Sequence, residues 1–156
     1  MFTATHLHAM IVHFPIALVL VAFLSELTGL VLKKKFYQQA SLYLLILASL
    51  GAIAAFLTGD AAGEGMDGGT LNQALEIHEE SANFTLWLTI VAAGVKLGLT
   101  FLKKEMRWLK IVAFILLLAA VVSVARTGYL GGQLVYKHAA GVELGIGNFG
   151  LGNDDD

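Results

Sequence analysis

Four long apolar runs restrict the fold of this chain more than any other feature of its sequence. They cover approximately residues 11–32, 40–58, 82–102 and 111–125. Each is near the roughly 20 residues that an α-helix needs to cross a bilayer. Only 14% of the residues are charged, compared with about a quarter in soluble domains. We therefore predict an all-α, four-helix transmembrane domain over residues 1–142, followed by a glycine-rich acidic tail over 143–156.

The composition also limits the chemistry that this chain is able to perform. It contains no cysteine, which excludes disulfides, thiolate metal sites and covalent c-type haem attachment. Any metal centre must therefore use nitrogen or oxygen ligands. No basic residue precedes the first run and no cleavage site follows it, so we expect this run to remain in the mature protein. The formal net charge of −2 gives no indication of nucleic-acid binding.

Basic residues predict the orientation of the bundle. They cluster after the first run and between the third and fourth runs, at Lys33, Lys34, Lys35, Lys103, Lys104, Arg107 and Lys110. By the positive-inside rule these connections are cytoplasmic, so both termini lie outside. The outer side is acidic, with Asp60, Glu64, Asp67, Glu76, Glu79, Glu80, Glu143 and Asp154 to Asp156 against Arg126 and Lys137. We expect a multi-pass protein of the bacterial inner membrane.

All five histidines fall on this outer side. His6, His8 and His13 begin the first helix, His78 precedes the third run and His138 follows the fourth. Polar residues are rare in membrane segments and often mark functional sites. We expect His6 to be solvated and the other four histidines to form one layer.

Helical spacing gives this layer a register. Glu26 lies 18 residues after His8, and Lys96 lies 18 residues after His78; each separation is about five whole turns. Glu26 and Lys96 form an ion pair across the bundle, or Lys96 reaches the interface while Glu26 bonds locally. An ion pair would bring His8 level with His78. His13 would lie about 7.5 Å deeper than His8 and about 140° around the helix. A single haem or metal ion would then bind both His8 and His13 only if the helix starts irregularly.

The histidine layer suggests a haem b site. Imidazole is the commonest axial ligand of non-covalent haem, and bundle cores often hold cofactors. The candidate ligands are His8, His13, His78 and His138. Arg126 interrupts the acidic outer side and is a candidate partner for a haem propionate. Other possible propionate donors are Thr85, Thr89, Gly131 and Gly132.

Two alternatives remain open for the same residues. Clustered histidines with acidic neighbours also bind copper or zinc, although no metal-binding motif of known spacing occurs here. The layer is otherwise structural or proton-sensing, within a subunit of a larger membrane complex. No nucleophile–base pair or phosphate-binding loop indicates independent catalysis.

Local patterns predict further details of the bundle. The segment TLNQ at residues 70–73 resembles a capping box, so the third long helix should start near Thr70. After Arg126 the polar, glycine-rich segment TGYLGGQLVYKH should form a bent or surface-lying extension that folds His138 over the bundle. Close helix packing is expected at the small residues of two stripes, which are Ala48, Gly51, Ala52, Ala55 and Gly59 in one and Gly94 and Gly98 in the other.

The two ends of the sequence resemble a known family. The segments HAMIVHFPIAL at residues 8–18 and GGQLVYKHAAGV at 131–142 are similar to those of predicted four-helix bacterial membrane proteins of unknown function. The family signature begins His-Pro-x-x-Val-His-Phe-Pro, and Ala9 departs from it. The resemblance implies that the recurrent histidines are His8, His13, His78 and His138. Fusions of family members to Rieske or c-type cytochrome modules imply redox work at the outer face.

Taken together, these features predict a membrane-embedded b-type cytochrome-like protein or subunit. Its partners would be the lipid bilayer and a periplasmic redox protein, such as a c-type cytochrome, or a larger respiratory or photosynthetic complex. The acidic outer face would attract a basic cytochrome. This association should weaken as salt concentration rises.

Overall fold

A computed structural model describes residues 3–64, 69–102 and 106–141. These residues form five helices: α1 (Ala4–Ile11), α2 (His13–Val31), α3 (Lys35–Gly63), α4 (Gly69–Phe101) and α5 (Arg107–His138). Since α1 continues almost directly into α2, the five helices make four segments of membrane-spanning length and apolarity. The prediction of an all-α four-helix transmembrane fold is confirmed. The proposed tail at 143–156 lies outside the described residues.

The boundary between α1 and α2 has a local cause. Pro15 has no backbone N–H, so it is unable to donate to the carbonyl of Ile11 four residues earlier. Val12 nevertheless keeps a right-handed helical backbone, with φ −59° and ψ −30°. The first segment is therefore one helix axis with a missing internal hydrogen bond, and the irregularity lies between His8 and His13.

The interior of the bundle consists mainly of small residues. One core layer joins Ala22, Leu45, Ala92, Ala93 and Leu117, one or two residues from each of the four long helices. The next layer joins Val19, Ala48, Ala120 and Val124. Many large apolar side chains point outward instead, including Leu24, Leu50, Leu57, Trp87 and Val122. Small residues inside and large apolar residues outside are the arrangement that close helix packing within lipid requires.

The four segments pair as two hairpins. α2 packs mainly against α3, and α4 mainly against α5. Each hairpin turns beside basic residues, Lys33 to Lys35 in the first and Arg107 in the second, and we call this end of the bundle the basic end. The opposite end carries His8, His78 and His138, and we call it the histidine end. The two ends differ sharply in the polar groups that they place at helix contacts.

Toward the basic end, a buried ion pair crosses the bundle. Lys96 Nζ of α4 donates to Glu26 Oε2 of α2 and also lies 3.2 Å from Ser41 Oγ of α3. The side chains of Lys96 and Glu26 are only 8% and 13% exposed. Of the two arrangements left open by the sequence, the ion pair is therefore confirmed. Ser41 is a third member that helical spacing did not reveal.

Several local predictions also have outcomes. α4 begins at Gly69, which confirms the start predicted near Thr70. The bent or surface-lying extension after Arg126 is wrong, because α5 continues without interruption to His138. Its glycines favour other conformations, but Leu134 within the segment is buried, which indicates that the helix packs against the bundle here.

The two predicted small-residue stripes behave differently. In α3, Ala48 and Ala55 are buried, and a Cβ added to Gly51 would lie 3.3 Å from Pro15 Cδ of α2. In α4, a Cβ added to Gly94 or Gly98 would meet nothing within 4 Å. Close packing is thus confirmed in α3 and wrong for the α4 pair, since a spacing of four residues does not say which face a neighbour covers.

Candidate functional site

His8 lies at the contact between α1 and α3. Its Nδ1 is 2.9 Å from the carbonyl oxygen of Ala55 and 3.4 Å from Thr58 Oγ1. A Cβ added to Gly59 would lie 2.9 Å from His8 Cε1, so the imidazole occupies the space that glycine leaves free. A carbonyl oxygen only accepts hydrogen bonds, so Nδ1 carries the proton. In the neutral ring, the lone pair is therefore on Nε2.

His78 occupies the corresponding contact between α4 and α5. A Cβ added to Gly131 would lie 3.1 Å from His78 Cε1, which explains one glycine of the Gly131–Gly132 pair. Its Nδ1 is buried and has no hydrogen-bond partner among the described residues. The backbone of Thr127 approaches this ring without reaching good hydrogen-bonding geometry. A buried polar atom left in this state destabilises the fold by about 1–3 kcal/mol unless a further group satisfies it.

The positions of His8 and His78 are related by an approximate internal repeat in the sequence. His8 and Phe14 recur 70 positions later as His78 and Phe84, and the oppositely charged Glu26 and Lys96 have the same spacing. In each hairpin, the histidine of the first helix lies over a glycine of the second. Glu26 and Lys96 meet across the bundle, and each lies 18 residues after the histidine of its own segment. The structure thus brings His8 and His78 from opposite hairpins into one layer, as the register of the ion pair predicts.

The other two candidate ligands have different surroundings. His13 is exposed, and its Nδ1 lies 2.7 Å from the carbonyl oxygen of Ala9 in the preceding turn. His138 is half-buried in the last turn of α5. The same end of α5 approaches α1, because a Cβ on Gly141 would lie 2.4 Å from Thr5 Cγ2.

Two polar candidates at this end also have defined places. His6, expected to be solvated, is exposed and its Nδ1 lies 2.7 Å from Thr3 Oγ1. Arg126 is exposed and donates from Nη1 to Ser81 Oγ at 3.4 Å. Among the described residues no other hydrogen bond to this guanidinium is seen, and the side chain is exposed. Arg126 lies within α5, because this helix continues to His138.

Below His78, four hydroxyl groups connect α4 to α5, and we call them the hydroxyl ladder: Ser81, Thr85, Ser123 and Thr127. Thr85 Oγ1 lies 2.6 Å from Ser123 Oγ and 2.8 Å from Thr127 Oγ1. Ser81 Oγ lies 2.8 Å from Thr127 Oγ1. The ladder is therefore satisfied within the protein.

The ladder bears on the role expected for two threonines. Thr85 donates to the carbonyl oxygen of Ser81 at 2.8 Å, and Thr89 donates to that of Thr85 at 2.7 Å. The hydroxyl groups of both residues thus donate within their own helix, and their role as propionate donors stays a prediction. The sequence did contain a signal for the ladder, since Ser81 and Thr85 are spaced four residues apart, as are Ser123 and Thr127.

The described residues do not form a metal-binding cluster. In residues 3–64, 69–102 and 106–141, no three His, Asp or Glu side chains converge as a group able to hold a metal ion. The imidazoles of His8 and His78 lie in one layer, and the hydrogen bond from His8 Nδ1 to the carbonyl oxygen of Ala55 orients the first of them. Two axial nitrogens are what a six-coordinate haem takes from a protein.

Comparison with known proteins identifies the family. The profile of a family described as predicted membrane protein (DUF2231) matches residues 4–144. The chain therefore belongs to this family of predicted membrane proteins, which confirms the resemblance seen at both ends of the sequence. No curated protein and no solved structure matches the chain significantly.

Proposed function

We propose that this protein is an electron-transfer component of the bacterial inner membrane that binds haem b at the histidine end, with His8 and His78 as axial ligands. The observation that carries the proposal is the hydrogen bond from His8 Nδ1 to the carbonyl oxygen of Ala55. Histidines that bind metals usually hold their second ring nitrogen in this way, which leaves Nε2 for the metal. A bound haem supplies a one-electron iron couple.

The surroundings of both rings support the same assignment. Gly59 and Gly131 allow each imidazole to approach the neighbouring helix closely, which limits rotation of the rings. Among the described residues, no hydrogen bond of good geometry holds the Nδ1 of His78. His13 and His138 are not assigned to this pair, because neither ring lies against a glycine of a neighbouring helix in the described residues.

Arg126 and the acidic residues complete the proposed site. The exposed Arg126 guanidinium provides donors suited to a propionate. Exposed carboxylates of this end include Asp60, Glu76, Glu79 and Glu80. Their charge favours docking of a basic soluble electron carrier, such as a c-type cytochrome.

The test is the visible spectrum of the full chain produced with adequate haem supply and purified in mild detergent. We expect a Soret band, with α and β bands after reduction. His8→Ala and His78→Ala should each lose the reduced six-coordinate spectrum. His6→Ala is the matched control, because it removes an exposed imidazole of α1 and should leave the spectrum unchanged.

Two results would overturn the proposal. One is wild-type protein that remains folded but contains no haem, with copper or zinc found by metal analysis or with no metal at all. The other is loss of haem from His13→Ala and His138→Ala while both His8 and His78 variants retain it. That second result would keep a cytochrome but reject the ligand pair.

A further inference from the structure

At the basic end, a cleft of about 270 Å³ opens between α2 and α5. It is lined by Leu30 of α2 and by Arg107, Lys110, Ile111 and Phe114 of α5. We propose that this cleft is a binding site for an anionic phospholipid. The phosphate contacts Arg107 and Lys110, and the upper acyl chain lies against the apolar walls.

The lining changes from cationic to apolar along α5. Arg107, Lys110, Ile111 and Phe114 are spaced as neighbours on one helix face. The two cations lie nearest the start of the helix, and the apolar side chains follow one and two turns later. At the deep end, Phe114 packs against Phe23 of α2 with ring centroids 5.7 Å apart. This gradient matches a molecule with a charged head and a hydrocarbon body.

The charge around the cleft favours an anion. Seven basic residues lie in or beside the two connections at this end, while Glu105 is the only acidic residue among positions 31–40 and 97–114. Glu26, one turn before Leu30, is already paired with Lys96. The N-cap residue of α5, Met106, forms no side-chain hydrogen bond to the first turn. The positive end of the helix dipole therefore adds to the attraction.

The depth of the cleft is also appropriate for a phospholipid headgroup. Trp108 lies between the two cations in sequence and is 57% exposed. Tryptophan is enriched at the level of lipid headgroups. Basic pockets between transmembrane helices at this level bind anionic lipids in other membrane proteins. Arg107 and Lys110 are thus placed where a lipid phosphate lies.

The experiment is a competition between lipids for the full-length chain. Protein purified in neutral detergent is incubated with phosphatidylglycerol and phosphatidylcholine of identical acyl chains, and retained lipids are counted by native mass spectrometry. We expect wild type to retain phosphatidylglycerol preferentially. Arg107→Gln/Lys110→Gln should reduce this preference by about tenfold or more, since each basic residue beside an anionic lipid strengthens binding several-fold.

The matched control is Lys33→Gln/Lys35→Gln, which removes the same charge at the same end but outside the cleft. It should keep most of the preference for phosphatidylglycerol. Equal losses in both double variants would show diffuse attraction to the basic end and overturn the site. Equal retention of both lipids by wild type would also overturn it. All substituted residues are exposed, and unchanged circular dichroism confirms that each variant is folded.

Discussion

The ion-pair layer and the histidine end use polar groups in opposite ways. In the ion-pair layer, Lys96 contacts both Glu26 and Ser41, so the buried charges neutralise each other within the chain. At the histidine end, His78 Nδ1 is buried without a partner among the described residues, and the bond from His8 Nδ1 to Ala55 leaves Nε2 uncommitted. In the ion-pair layer the charged groups are paired, whereas at the histidine end ring nitrogens remain without a hydrogen-bond partner among the described residues.

Under the proposed function, this difference separates a structural role from a functional one. A buried ion pair contributes little net stability relative to apolar residues, but it penalises every register in which the charges fail to meet. The pair thereby aligns the two hairpins and holds the two histidines level. A histidine layer that served only for packing would be expected to satisfy its own nitrogens. The following predictions test this contrast, beginning with the largest effect.

Lys96→Met should cause the largest loss of stability. It leaves the Glu26 carboxylate buried and unpaired, so we expect the free energy of unfolding to fall by about 3–5 kcal/mol. Unfolding of the full chain in mixed micelles with increasing SDS provides the measurement. The double variant Glu26→Gln/Lys96→Met should recover much of this loss.

Lys137→Met is the control for this change. Lys137 is exposed and, among the described residues, bonds to Gln133 of its own helix at 3.2 Å, so its removal should have little effect. If Lys96→Met were as stable as Lys137→Met, the ion pair would not set the register of the hairpins. The contrast between the two layers would then be lost.

Gly59→Ala and Gly131→Ala should have intermediate effects. Each new methyl group would overlap an imidazole, at 2.9 Å from His8 and 3.1 Å from His78. Overpacking of this kind destabilises by about 1–3 kcal/mol, measured by the same SDS titration. Gly98→Ala is the matched control, because nothing lies within 4 Å of its added Cβ. It should be neutral, or stabilising by up to about 1 kcal/mol through helix propensity.

Identical stability changes for Gly59→Ala, Gly131→Ala and Gly98→Ala would contradict the close seating of the two imidazoles. A loss of stability in only Gly59→Ala or only Gly131→Ala would distinguish the two hairpins. It would show that only one histidine is held tightly by its neighbouring helix.

Ser123→Ala should have the smallest measurable effect. It removes one member of the hydroxyl ladder, and hydrogen bonds between membrane helices contribute about 0.6 kcal/mol on average. Ser49→Ala removes a hydroxyl that bonds only to Leu45 of its own helix, at 2.9 Å, and should be close to neutral. A larger loss for Ser49→Ala than for Ser123→Ala would mean that the ladder does not connect α4 to α5.

Much of the fold follows from patterns along the chain. Apolar runs of membrane length specify four helices because unpaired backbone groups are too costly in hydrocarbon. The 18-residue spacings of His8 with Glu26 and His78 with Lys96 correctly related the ion pair to the histidine layer. Both inferences use the regular geometry of single helices.

Other features depend on which helix faces meet, and these were missed or wrong. Gly94 and Gly98 have the spacing of a packing motif but meet no described neighbour within 4 Å. The contacts of the Thr85 hydroxyl with Ser123 and Thr127 across the hairpin were missed. Such contacts join distant positions in the chain, so spacing within one helix does not specify them.

The sequence by itself determined four membrane segments, the family, and a set of histidines concentrated at one end. Local hydrophobicity and helical periodicity suffice for those features. The tertiary structure distinguished His8 and His78 from the other histidines, because only packing places one against Gly59 and the other against Gly131. It also placed His13 on an exposed face, because the choice depends on contacts between helices that no single segment contains.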